Sequence, residues 1–294
     1  MNSYLNKILK TEDVDYVIAS DTDSIYLNLG DLVEKVYEGR EKTAESVVSF
    51  LNKICEVEFE KYIESSYETL ARYVNAYDQK MIMKRENIAD RGIWTAKKRY
   101  ILNVWDSEGV RYEQAKLKIM GIEAIKTSTP APCRTMLKDA FKLLMTGTED
   151  EVIDYIEKCR SEFKNFPPEE VGFPRSVNNL QKYKGVSDIY NKGTPINVRG
   201  ALLFNHYIKK NNLEHKYSAI QNGEKIRFCY LKTPNWMHEN VISYIQDLPK
   251  ELDLHKHVDY DLQFEKAFLE PIKVILNCIG WETERKNTLE SFFS

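Results

Sequence analysis

Residues 14–29 read "VDYVIASDTDSIYLNL", two apolar runs parted by Asp21-Thr22-Asp23. In the first run Val17 and Ala19 oppose Tyr16 and Ile18, the period of two expected of a half-buried strand, and "SIYLNL" reads as a second strand. Two such runs around a polar apex of two or three residues predict a hairpin, with both aspartates at or beside its turn. Carboxylates held so close repel each other unless a cation stands near them. Three readings of the pair stay open on these residues alone: an Asx-type turn without ligand, a hard divalent cation at a phosphoryl-transfer site, and the metal of a nucleotide-sugar transferase. A calcium loop fits poorly, because Ile25 and Tyr26 stand where its pattern needs an oxygen ligand and a glycine. A nucleotide-sugar enzyme would normally carry a Gly-rich strand-to-helix turn, which the sequence lacks. Mg²⁺ typically takes only one or two protein carboxylates, with waters and substrate phosphates completing its shell, so the hairpin suits phosphoryl transfer.

Working outward, Ser3–Leu9 reads as a short helix, and residues 41–75 as a long one with Val48, Leu51, Cys55, Phe59 and Tyr62 along one face. "KMIMKRENIA" (80–89), "GIWTAKKRYILNVWD" (92–106) and "GVRYEQAKLKIMG" (109–121) read as strands, the last two joined at Ser107-Glu108-Gly109. On a strand, Lys97 and Arg99 point to one side and Lys98 to the other. The run is either a solvated face or a set of contacts to phosphates and minor-groove acceptors of a duplex. An α+β unit therefore ends near Gly121. Beyond it, Thr129 is the expected N-cap of a helix with Pro130 at its first position and Gly147 past its end. A capping box, Thr148 to Glu151, starts the next helix, which stops before Pro167-Pro168. Residues 168–200 are loop-rich, 258–280 read as a helix broken near Pro271, and the second half as a whole is expected to be mostly helical.

Bulk composition bounds the function. The chain has 294 residues, 43% of them hydrophobic and 12% aromatic, enough for one large domain or two ordinary ones. No apolar run reaches the length of about 18 that a spanning helix needs, and "MNSYLNKILK" lacks a signal-peptide pattern, so the expectation is a cytoplasmic chain with no membrane partner. Cys55, Cys133, Cys159, Cys229 and Cys278 form no Cys-x-x-Cys, and the five histidines show no liganding pattern, which argues against zinc and a disulfide framework. The net charge of −3 by itself argues against nucleic acid. Its distribution does not: residues 79–99 carry seven Lys/Arg against two acids, and 149–170 carry eight acids against three bases.

The ordered set "DTDSIY", "KRENIA", "KKRYILNVWD", "KLKIMG" and "STP" resembles the C-terminal part of the family B DNA polymerases, most closely those of T-even-type bacteriophages, from about Asn2 to the last residue. The resemblance implies an α+β fold: a partial polymerase palm over 1–121, an antiparallel sheet with helices, then a mostly helical thumb over 122–285 and a sliding-clamp-binding tail over 286–294. It implies that Asp23 ligates catalytic Mg²⁺ ions with Asp21 beside it, in a two-metal site completed by a partner chain. Glu86 corresponds to the palm carboxylate near the metals. Lys97, Lys98, Arg99 and Tyr100 correspond to the motif that holds the primer end, with Lys98 in the minor groove. Lys126, Ser128, Thr129, Ser176, Asn178, Asn179, Lys182 and Arg199 become candidate contacts to the duplex backbone, and Leu289, Phe292 and Phe293 the apolar anchors of the clamp peptide. The implied partners are primer-template DNA, dNTP, the clamp and an N-terminal polymerase chain.

Three departures accompany the likeness. The motif A aspartate, the fingers helix and the exonuclease carboxylates are missing from this sequence, and Met1 falls at an interior position of the full-length proteins. Both features predict a split polymerase; a non-catalytic duplex- and clamp-binding module or an inactive remnant is the alternative. Ala19-Ser20 replaces the usual Tyr-Gly before the aspartates. The stretch between Ile88 and Trp94 is shorter than in the relatives.

Overall fold

The computed structural model describes residues 1–285. It is an α+β chain that divides into two compact units, 1–118 and 119 onward, with the division inside one strand.

The first unit opens with α1 (Asn2–Leu9), followed by β1 (Val17–Asp21) and β2 (Ser24–Leu27), an antiparallel pair whose last rung is Asp21 opposite Ser24. A short α2 (Gly30–Tyr37), unmarked by the sequence reading, comes next. The expected long helix is a continuous helical path in three parts: α3 (Ala44–Ile54), a π-helical stretch at Cys55–Phe59, and α4 (Glu60–Tyr73). Thr43 and Ser46 cap α3 reciprocally. Val48 and Phe59 are buried and Tyr62 stacks on Tyr4, with ring centroids 3.9 Å apart, so the predicted face does turn inward along its first half. The π turn inserts extra residues into the helical repeat and rotates the side chains of α4 relative to those of α3.

Three strands complete this unit: β3 (Asn87–Ala96), β4 (Arg99–Ser107) and β5 (Val110–Met120), in that spatial order. Two expectations change here. Residues 80–86 form no strand. The run through Lys97-Lys98 is not one strand but a hairpin: Ala96 pairs with Arg99, and the two lysines are its apex, Lys98 in the left-handed region at φ 59°. The alternation assigned to Lys97, Lys98 and Arg99 therefore does not exist, since only Arg99 sits on a strand. β4 carries the unit's second core, with Tyr100, Leu102 and Val104 buried against Tyr26, Trp94 and Tyr112.

The second unit contains α5 (Ala131–Thr146), α6 (Glu149–Phe163), α7 (Pro168–Val171), β6 (Phe173–Ser176), α8 (Leu180–Tyr183), α9 (Ile196–Lys210), β7 (Lys225–Tyr230), β8 (Val241–Tyr244), α10 (Tyr260–Phe264) and α11 (Glu270–Ile279). The Thr148–Glu151 capping box is present. Pro130, not Thr129, is the N-cap of α5, and Thr129 is buried just before it. The expectation of a mostly helical second half missed an antiparallel sheet, β6-β7-β8, against which α9 packs. At Gly200 a Cβ would lie 2.4 Å from Ser243 Oγ, so α9 approaches β8 closer than any side chain allows. The last helical path runs from α10 through a π-helical stretch at Glu265–Leu269 into α11, with Pro271 just past that stretch.

Candidate functional site

The apex of the first hairpin is Thr22-Asp23. Thr22 occupies the left-handed region at φ 47°, a conformation that costs a β-branched residue roughly 1–2 kcal/mol. Local hydrogen bonds offset that cost. Thr22 Oγ1 donates to Asp21 Oδ1 at 3.1 Å, and Ser24 Oγ donates to the Asp21 carbonyl at 3.1 Å. Asp21 is half-buried and Asp23 is exposed beyond it.

The second hairpin reaches the first. Lys98 Nζ lies 3.7 Å from Asp21 Oδ2, a position it can take because the Lys97-Lys98 turn projects it past the end of β3. Behind the charges an aromatic contact ties the hairpins together. Tyr26, on β2, meets Trp94 edge-on at 5.4 Å and Tyr100 at 5.5 Å. Gly92 makes room for this arrangement, since a Cβ there would stand 2.6 Å from the Trp94 ring. Burial pushes the Tyr100 hydroxyl well above its ordinary pKa, helped by its hydrogen bond with Tyr26 and by the negative charges of Glu86 and Asp21. Tyr100 is thus a neutral phenol within the field of both carboxylates.

Glu86 stands just before β3. It pairs with Lys118 on β5, and that hydrogen bond holds its carboxyl below the usual range even though partial burial acts the other way. The backbone around it is anchored: Arg85 pairs with the buried Asp106, its N–H donates to Glu60 Oε1 at 3.1 Å, and Glu108 N–H donates to the Glu86 carbonyl. Among the described residues no group of three or more His, Cys, Asp or Glu is placed to hold a metal ion. Two hard oxygen donors at a solvent-facing apex suit Mg²⁺, whose shell needs only one or two protein carboxylates. The donor set therefore fits one face of a Mg²⁺ site and leaves its other ligands to be supplied.

The structure brings Asp21, Lys98, Tyr100 and Glu86 into one electrostatic neighbourhood. Lys97 is exposed at the apex beside Lys98, and Arg99 is half-buried. Tyr26, Trp94 and Lys118 belong to the same assembly and were not singled out from sequence. The alternation of "SIYLNL" and the quoted "KLKIMG" contained two of them, but their roles depend on a neighbouring hairpin and strand that no local pattern reveals.

In the second unit Lys126 pairs with Glu123 at 2.8 Å, and the Ser128 carbonyl accepts from Arg175 at 2.8 Å. Thr129 lies buried behind them. Ser176, Asn178, Asn179 and Lys182 are exposed on one continuous segment, where Asn179 adopts φ 60°. The Ser176 carbonyl accepts from Asn197, just before Arg199 on α9. Arg199 hydrogen-bonds Asn240 and lies over the Tyr190 ring at 5.7 Å, contacts that hold the guanidinium in place. Leu289, Phe292 and Phe293 lie outside the described residues.

No protein-family profile matches the chain. Over its full length, however, the chain is similar to phage DNA-directed DNA polymerases. It is 32% identical over 306 residues to the enzyme of Escherichia phage RB69, and 29% identical over 307 residues to that of Enterobacteria phage T4. The chain spans about a third of the length of these relatives, 33% of each, consistent with their C-terminal part. Among the described residues no helix is long and apolar enough to cross a membrane.

Proposed function

We propose that this chain is the C-terminal part of a DNA-dependent DNA polymerase, active in viral DNA replication in the host cytoplasm when joined by a separate chain that supplies the rest of the enzyme. The observation that carries the reading is the full-length match to two phage polymerases together with Asp21-Thr22-Asp23 at a hairpin apex faced by Lys98. The first unit is the palm segment and the second the thumb.

In this reading Asp23, assisted by Asp21, holds Mg²⁺, which supplies Lewis-acid activation of the primer hydroxyl and charge stabilisation at the triphosphate. The chain's own residues perform the positioning. Lys98, on a turn and mostly exposed, is free to exchange the Asp21 carboxylate for a minor-groove acceptor, present at every base pair, so it senses geometry without reading sequence. Tyr26, Trp94 and Tyr100 keep that lysine aligned with the aspartates. Lys126, Ser128, Ser176, Asn178, Asn179, Lys182 and Arg199 grip the duplex backbone, a sequence-independent function suited to a thumb. The tail at Leu289, Phe292 and Phe293 docks the sliding clamp.

The test is capture of the tagged chain from lysate of its source cells, with the eluate assayed for Mg²⁺-dependent primer extension. A stoichiometric larger partner and synthesis are expected. Asp23→Asn should then abolish extension, by at least about a thousandfold, while the complex still assembles. DNA or clamp binding with no synthesis in any fraction would replace the polymerase reading by that of a binding module.

A further inference from the structure

The helical path that covers the first unit's core continues past it. In α4 and the residue after it, Ile63, Tyr67, Leu70, Ala71 and Val74 recur at intervals of four, three, one and three, which places them on one face of the helix. No residue of α4 is buried. Leu70 is 45% exposed and Val74 58%, and the segment beyond them adds Tyr77 and Ile82, both almost wholly open to solvent. The polar side of the helix satisfies itself: Glu68 and Arg72 pair at 3.5 Å, four residues apart. An amphipathic helix is stabilised by burying its stripe, and a contiguous exposed apolar patch marks an interaction surface.

We infer that the Ile63–Val74 stripe is the docking surface for the chain that carries the rest of the polymerase, the two-thirds of the RB69 and T4 enzymes that this chain does not span. The inference rests on the split-polymerase reading above. Two observations select this occupant. The matched relatives hold about two-thirds of their length outside the matched stretch, so a large body of polypeptide of known kind is unaccounted for. The stripe also lies on the unit that holds Asp21, Asp23 and Glu86, the unit a completing chain must join for other groups to reach those carboxylates. An extended apolar helix face is the form of anchor that a groove or a helix pair on a partner accepts.

The experiment is capture from source-cell lysate by the full chain and by Leu70→Glu/Val74→Glu, with captured chains identified by mass spectrometry. Ser65→Glu, on the opposite face of α4, is the control, and circular dichroism checks that all variants fold. The expected result is a chain matching the other two-thirds of the same polymerases, held by the unchanged chain and by Ser65→Glu but at least tenfold less by the double variant. Equal capture by all three would overturn the assignment of this surface and leave the split polymerase standing. No polymerase chain captured by any of them would overturn both. A second copy of this chain on the stripe, shown by a dimer in sedimentation that the double variant abolishes, would overturn the proposed occupant.

Discussion

The two units bury their apolar residues very differently. The second has more than forty buried hydrophobic side chains, with Phe141, Phe163, Phe204, Phe264 and Phe268 among the largest fully enclosed, and only six exposed large ones among the described residues. The first has ten of each. Two of its core clusters are small, one around Leu5, Tyr16 and Phe59 and one around Tyr100, Leu102 and Val104. The second unit encloses most of its apolar side chains, and the first leaves as many large ones exposed as it buries. The candidate carboxylates are on the first.

Core truncation tests this contrast most severely. Phe204→Ala removes a ring that is 2% exposed from a close-packed interior and should cost about 3–5 kcal/mol. Leu5→Ala removes an equally buried side chain from a small cluster whose rim is only partly buried and can relax, and should fall near the low end of the Leu→Ala range, about 2 kcal/mol. Urea unfolding of each variant measures both. Equal losses would mean that the first unit's core is as firmly built as the second's.

Two glycines sharpen the comparison at smaller cost. Gly200→Ala pushes a methyl against Ser243 Oγ and its backbone N, 2.4 and 2.8 Å away, where a helix meets a strand that cannot move. A loss of about 1–3 kcal/mol is expected. Gly92→Ala meets the far edge of the Trp94 ring at 2.6 Å and the tip of the buried Leu102 side chain at 2.8 Å, side-chain ends and not backbone. Its cost should fall at the low end of the overpacking range, about 1 kcal/mol, and the shift of Trp94 breaks the edge-on contact with Tyr26. Thermal melting compares the two, and a changed tryptophan emission reports the second. If Gly92→Ala melts like Gly200→Ala, Trp94 is a rigid core member and not a movable tie between hairpins.

The same contrast explains what the sequence revealed. The Asp21-Asp23 hairpin was legible because its two runs are adjacent and alternate cleanly around a polar apex. The Lys97-Lys98 hairpin was not, because neither residue is Gly, Asn or Asp, and a left-handed lysine carries no turn signature. It hid a turn inside what reads as one strand, and with it the approach of Lys98 to Asp21. In the second unit α5, α6 and the path through α10 and α11 were legible from caps and periodicity, but α9 and the β6-β7-β8 sheet were not. All four residues of β8 are buried, so "VISY" shows no alternation, and β6 pairs with a strand some fifty residues later. Such pairing leaves no trace in a local window.

The smallest expected effect lies at Glu86. Its pairing with Lys118 is a link between the segment before β3 and the strand β5, in the unit with the thinner core. Because the folded-state pKa is depressed, the pair's contribution to stability is present above the ordinary glutamate value, about 4.3, and is lost as pH falls through the lower folded value. Lys118→Ala removes the dominant cause, so the Glu86 carboxyl should titrate higher, at or above the ordinary range once burial is the main influence left on it. A carboxyl-carbon NMR titration of both proteins measures this directly. Global stability at neutral pH should barely change, because both groups are substantially exposed and solvent screens the pair. An unmoved titration would show that Lys118 does not hold Glu86, and that this carboxylate is free to turn toward the aspartate hairpin without first breaking an ion pair.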